Sequence, residues 1–189
     1  MTELLPMNTS HLPVKLTLDD YLLLDGSGAF ANYQKTELID GEIFFMNAQH
    51  RPHVRLKMAL YEAIKAALPA GSPLTLFIEA SVALSGKDAP EPDLLLTSEP
   101  DGDGLIPGAS VALIVEVSDT TLRKDLGEKQ EAYARAGIPE YWVANLEGRL
   151  IRQMWSPAND GYGENREITF GAPLSAATIP NLTIVTDNL

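Results

Sequence analysis

The chain has 189 residues, 45% hydrophobic and 21% charged, the make-up of one globular domain with a sizeable core. It contains no cysteine, which excludes disulfides, thiol catalysis and cysteine-based zinc sites. Fourteen basic and 26 acidic residues give a net charge of −12, which opposes nonspecific binding to nucleic acid, and no apolar run approaches the about 20 residues of a bilayer span.

In chain order, residues 1–15, with Pro6 and Pro13, read as a poorly ordered lead, and residues 16–189 as a single domain. The N-terminus lacks a basic start and an apolar core, so no secretory signal is read and a cytoplasmic location is expected. A short helix begins near Leu16, with Thr17 as N-cap and Asp19 and Asp20 in the first turn, where the helix dipole favours them. Asp40-Gly41 between two apolar runs predicts a two-residue hairpin turn. On the second arm Glu42, Phe44 and Met46 share one face. Pro52 opens a helix to about Leu68, whose apolar stripe is Leu56, Leu60, Ala63, Ile64 and Ala67. His53 lies on that stripe, where a lone histidine more often packs than reacts; His11 and His50 have no such placement.

Residues 74–84 read as a strand with a possible bend, and Asp93–Thr97 as a second apolar strand that begins with an acid. Residues 98–110 form a Gly/Pro-rich loop. Val111–Val117 is the central strand, apolar enough to be buried on both faces. The helix after it carries the stripe Leu122, Leu126, Tyr133 and Ala136, ended by Gly137 and Pro139. Strands follow at 140–145 and 149–155, with weaker ones near 166–170 and 182–185. The order predicts an α/β fold, a mixed central sheet flanked by helices with added hairpins.

Two charges stand where charges are costly. Glu116 lies late in the central strand, and Lys129 falls on the inward stripe of the next helix. If the strand that starts at Asp93 neighbours the central strand, Asp93 and Glu116 can face one point and share a divalent cation such as Mg²⁺ or Mn²⁺. Lys129 could then steady a water or a phosphate oxygen. The other reading is a structural Glu116–Lys129 pair with Asp93 capping a turn, and periodicity leaves both open.

Pro92-Asp93 with Glu116-Val117-Ser118 resembles the PD-(D/E)XK motif of restriction-endonuclease-like nucleases. The wider pattern is more specific: Tyr33 through Glu42, His53 before a helix, Glu91 through Leu96, Ile114 through Ser118, Gly127-Glu128-Lys129, and Tyr133 through Trp142 follow in order. Together they resemble the Uma-two family of restriction-endonuclease-like proteins over residues 16–156. The resemblance implies a restriction-endonuclease-like fold with a metal-dependent site that hydrolyses DNA phosphodiesters. It assigns the two motif acids to Asp93 and Glu116, as ligands of Mg²⁺ or Mn²⁺. The motif lysine is absent, its position being Ser118, and Lys129 is read as a migrated lysine that reaches the same point. Glu42 and His53 match further family positions and are expected as walls or outer ligands of the site.

An inactive or binding-only module of a defence or mobile-element system is the alternative, favoured by the acidic charge and the missing lysine. Basic residues cluster at Arg51, Arg55 and Lys57 and at Arg123 and Lys124, where they could receive DNA if they converge. Cutting both strands implies a homodimer, with Trp142, Met154 and Trp155 as candidates for its contact or for the core.

Overall fold

The computed structural model describes residues 13–33, 35–46, 48–159 and 161–189. The expected N-terminal lead therefore lies mostly outside the described residues, as does His11.

Helix α1 (Leu18–Gly26) is closed at its start by a capping box in which the Thr17 side chain and the Asp20 carboxylate each accept from the other's backbone N–H. The hairpin follows as β1 (Thr36–Ile39) and β2 (Glu42–Phe45), paired Ile39 to Glu42 across an Asp40-Gly41 turn with both residues at positive φ. A Cβ on Gly41 would meet the Leu16 backbone at 2.9 Å, so glycine serves the close approach as well as the turn. Helix α2 (Arg51–Ala67) carries Pro52 in its first turn and buries Leu56, Leu60 and Ile64.

Next come β3 (Thr75–Ile78), β4 (Val82–Ala83), β5 (Leu94–Thr97), β6 (Ile106–Pro107) and β7 (Val111–Ser118). The segment after β7 is α3 (Leu122–Lys124), a π-helical turn over Asp125–Lys129, and α4 (Gln130–Arg135). Strands β8 (Glu140–Asn145), β9 (Leu150–Ala158), β10 (Gly161–Thr169), β11 (Leu174–Ser175) and β12 (Thr183–Ile184) complete the chain.

The central sheet runs β10-β9-β8-β7-β5-β3; β7 and β8 are parallel and every other neighbouring pair is antiparallel. It is mixed, as expected. Strand β7 lies inside it, and six of its eight residues are buried in an unbroken run to Ser118. Successive side chains alternate between two cores. Leu113, Val115, Val117 and Trp142 pack with α2 on one face, while Ile114, Tyr141, Val143 and Met154 pack with Tyr133 on the other. Each such buried side chain contributes about 2 kcal/mol of transfer free energy.

The expected strand over 74–84 breaks at Glu79, a non-glycine residue at φ +52, and resumes as β4, which pairs in parallel with β6. The 98–110 segment is thus less of a free loop than its composition suggests. Strand β10 spans nine residues rather than a short stretch near 166–170, because it is an edge strand, polar along most of its length and without alternation. Trp142 and Met154 are buried core residues and are not available for a subunit contact; the Trp142 ring N–H donates to Glu140 at 2.6 Å. Trp155 is half-buried, with the Arg166 guanidinium 5.7 Å from its ring centroid. Among the described residues no helix is long and apolar enough to cross a membrane.

Candidate active site

Register builds the site. Leu94 pairs with Val115 and Leu95 with Ile114 in the antiparallel β5–β7 ladder, so one further step sets Asp93 opposite Glu116. Both side chains stand on the face shared by Leu95 and Ile114. Asp93 is fixed by the Val117 backbone N–H, which donates to its Oδ2 at 2.8 Å. The two carboxylates line one cleft of about 290 Å³, together with His53 and Lys129.

Lys129 arrives from the π-helical turn. Its Nζ lies 2.9 Å from Glu116 Oε1 and 3.1 Å from Glu37 Oε2. The Tyr133 hydroxyl, from the following turn, donates to the same Glu116 Oε1 at 2.8 Å. Both donors to Glu116 land on one oxygen, and among the described residues none reaches Oε2. Gly127, inside the wide turn, departs from helical dihedrals at φ −120 and ψ −105. Such turns are frequent at functional sites.

A second ring of charge surrounds Asp93. His53 Nε2 is 3.3 Å from Asp93 Oδ2, and Lys57 Nζ is 3.5 Å from Oδ1. Lys57, one turn after His53 on α2, is buried and also donates to Glu79 and to Gln49 Oε1. Glu79 in turn receives Lys35, which bridges to Glu91 Oε1 at 2.6 Å. The left-handed conformation at Glu79 is therefore tied to a carboxylate held by two lysines.

Burial, with the Asp125 and Asp93 carboxylates nearby, pushes Glu116 up to about 8 against the pull of Lys129. Burial works against the Lys129 ammonium, but Glu116, Glu37 and Asp125 outweigh it and hold its pKa above the usual lysine value. Burial would also raise Asp93, yet His53, the Val117 N–H and Lys57 hold its carboxyl below the ordinary range. Asp125, buried beside the Thr121 hydroxyl at 2.6 Å, is raised by its burial.

Four of the five residues singled out in the sequence meet here: Asp93, Glu116, Lys129 and His53. Glu42 does not. It follows the hairpin turn directly, is exposed, and pairs with Lys15 at 2.7 Å. The hairpin's charged contribution comes from its other arm: Glu37, 2% exposed, lies across from Phe44 and bridges Lys129 and Lys124. Glu37, Lys57 and Glu79 were not legible as site residues. From the sequence Lys57 is expected only as part of a basic cluster at the mouth, not as a buried partner of Asp93 and Glu79. The basic residues expected to gather at the mouth separate: Lys124 lines the cleft, Lys57 is buried and does not line it, and Arg51, Arg55 and Arg123 are exposed and do not line it. Among the described residues that line the cleft, seven are acidic and two are lysines.

Among the described residues no three histidine, aspartate or glutamate side chains converge at metal-binding spacing. Two carboxylates on adjacent strands still suit Mg²⁺, which commonly takes one or two carboxylates and completes its shell with water and phosphate. The donor set is hard oxygen, one carboxylate oxygen of Glu116 receives no donor among the described residues, and the surplus of acids needs positive charge. The residues fit such an ion. The motif position of the missing lysine, Ser118, is buried, its hydroxyl 3.5 Å from that of Thr121.

A family model described as "Putative restriction endonuclease" matches residues 18–187. Among solved structures, one described as a "putative nuclease belonging to DUF820", from Anabaena variabilis, superposes with a TM-score of 0.66 over 94% of this chain and 93% of its own. At 14% identity that likeness shows the fold. No curated protein matches the sequence.

Proposed function

This chain belongs to the Uma2 family of restriction-endonuclease-like proteins, and from that premise we propose that it is a divalent-metal-dependent endodeoxyribonuclease acting at the Asp93–Glu116 cleft. The observation that carries the reading is the β5–β7 register, which sets two carboxylates opposite each other beside a buried lysine. Asp93 and Glu116 would hold Mg²⁺ or Mn²⁺. Such an ion, when bound, lowers the pKa of a water and stabilises charge developing on a phosphoryl oxygen.

The protein's own groups divide the remaining work. Lys129, held in the charged form, takes the place of the lysine absent at Ser118 and balances negative charge on the phosphate. Glu37 and Tyr133 orient that pair: Glu37 braces the Lys129 ammonium, and Tyr133 fixes one Glu116 oxygen so that the other is free. His53, against Asp93 Oδ2, keeps that carboxylate ionised. Hydrolysis releases the 3′ oxygen of the strand and leaves the phosphate on the 5′ side. Cutting both strands would call for two copies about a two-fold axis, using residues other than Trp142 and Met154.

A binding-only module is the second reading. One observation favours it: Lys129 is already engaged by two carboxylates, in a cleft where acids outnumber lysines. Calorimetric titration of Mg²⁺ and Mn²⁺ into wild type and Glu116→Gln, with plasmid nicking on the same samples, separates the two. Binding and nicking that disappear together in the variant support the nuclease. A wild type that binds no metal leaves Glu116–Lys129 as a structural pair.

A further inference from the structure

The mouth of the cleft is furnished differently from its floor. Phe45, the last residue of β2, lines the cleft and is nevertheless 61% exposed. Tyr33 is 51% exposed and stands against it, ring centroids 5.6 Å apart and planes tilted by 33°. The neighbouring Phe44 has a partner, the Lys124 ammonium 3.9 Å from its ring centroid. Among the described residues the aromatic partner of Phe45 is Tyr33, and both rings stay largely exposed. Two aromatic rings gain little from a mutual contact that leaves both this open, since most of their stabilisation comes from area removed from water.

Charge gives phosphates little purchase here. Duplex and single strand alike carry them, and the described lining offers two lysines among seven acids. Arg51, Arg55 and Arg123 do not line the cleft. Contact at the mouth must therefore come from the bases, and stacking, open to every base, requires the base to be unpaired so that a side chain can reach its π-face. We infer that Phe45 and Tyr33 form a stacking platform for an unpaired nucleobase at the mouth of the cleft. The preferred substrate is then single-stranded or locally unpaired DNA rather than intact duplex. The substrate assignment rests on the nuclease reading above and deepens it.

The test uses the full chain and three labelled probes of equal length: oligothymidine, an abasic strand and a blunt duplex. Fluorescence anisotropy in EDTA reads binding without cleavage, for wild type, Phe45→Ala and the Tyr33→Ala/Phe45→Ala double variant. Both positions are exposed, so the fold is retained. The expected order is oligothymidine tighter than duplex and abasic strand. Phe45→Ala should weaken oligothymidine binding by roughly five- to a hundred-fold, the span of one base–aromatic stack, and leave the abasic strand unchanged. Equal binding by the double variant, an abasic strand bound as tightly as oligothymidine, or no binding of any probe overturns the platform. Cleavage of the same probes with Mg²⁺ and Mn²⁺ is read separately. The expected binding pattern without cleavage supports the platform and overturns the nuclease, leaving a single-strand-binding module.

Discussion

Glu37 and Lys124 stand 87 residues apart in the chain, yet the Lys124 Nζ reaches Glu37 Oε1 at 2.7 Å, while the other oxygen of Glu37 faces Lys129 at 3.1 Å. One buried carboxylate from the hairpin thereby joins the turn that carries the site's lysine. Burial disfavours the Glu37 carboxylate, but Lys129 and Lys124 outweigh it and hold its pKa below the usual glutamate value.

Glu37→Gln should therefore destabilise the protein by about 3–5 kcal/mol, the cost of removing one partner of a buried ionic group. Glu42→Gln, on the exposed arm beside Lys15, should cost no more than about 1 kcal/mol. Urea denaturation midpoints of the two variants give the comparison. Equal midpoints would show that the hairpin is not anchored through Glu37.

Glu116 sets a pH dependence of its own. Its folded pKa of about 8 lies above the ordinary 4.5, so the folded state keeps a proton that the unfolded chain has released. The stability from this group is fully present below pH 4.5 and is lost as pH rises to about 8. The metal-free protein should lose melting temperature over that window, and Glu116→Gln should flatten the loss. In calorimetry, Mg²⁺ affinity should climb by up to about tenfold per pH unit below that pKa and level off above it, because the ion displaces the proton.

Glu79 works in the opposite direction. Burial would raise it, but Lys35 and Lys57 hold it at about 2, below the ordinary 4.5, so its stabilisation is present above pH 4.5 and lost as pH falls towards 2. With its side chain 27% exposed the effect is screened, to no more than about 1 kcal/mol. Glu79→Gln should lower stability at pH 7 by that amount and make the early acid limb of the melting curve less steep.

Glu140 provides the control for a buried acid with no place in the cleft. Its carboxylate accepts from the Trp142 and Gln153 side chains and from the backbone N–H groups of Ala177 and Thr178. That fixes the tail against β8. Glu140→Ala leaves these donors unsatisfied and should cost at least about 3 kcal/mol. Metal affinity, measured on the folded fraction, should be unchanged.

The parts of this architecture that follow from local chemistry were readable in the sequence. The Asp40-Gly41 turn, the Pro52 helix start and the continuous apolar run of β7 each report on their own neighbourhood. Lys129 was readable too, since helical spacing alone aims it inward, although the real segment reaches that position through a π-helical turn. Glu37 was not. It lies in a strand of four residues, and its burial depends on lysines from a distant segment. Glu42 shares the hairpin face of Glu37 through the Ile39–Glu42 and Glu37–Phe44 pairs, but it sits at the turn end of the ladder, exposed beside Lys15, and alternation says nothing of position along a strand. The burial of Lys57 and of Glu79 was hidden for the same reason, each being neutralised by a partner far away in sequence.

The β5–β7 ladder also says which changes of chain length this domain can absorb. Asp93 and Glu116 oppose each other only at one alignment of the two strands, and a one-residue deletion within β5 would turn Asp93 to the far side of the sheet. Residues 101–104, in the connection between these same strands, are exposed and carry no part of the site. Insertions there would leave the alignment intact. The tolerance to indels thus changes abruptly within a few residues, from a segment where length is free to one where a single lost codon erases the chemistry.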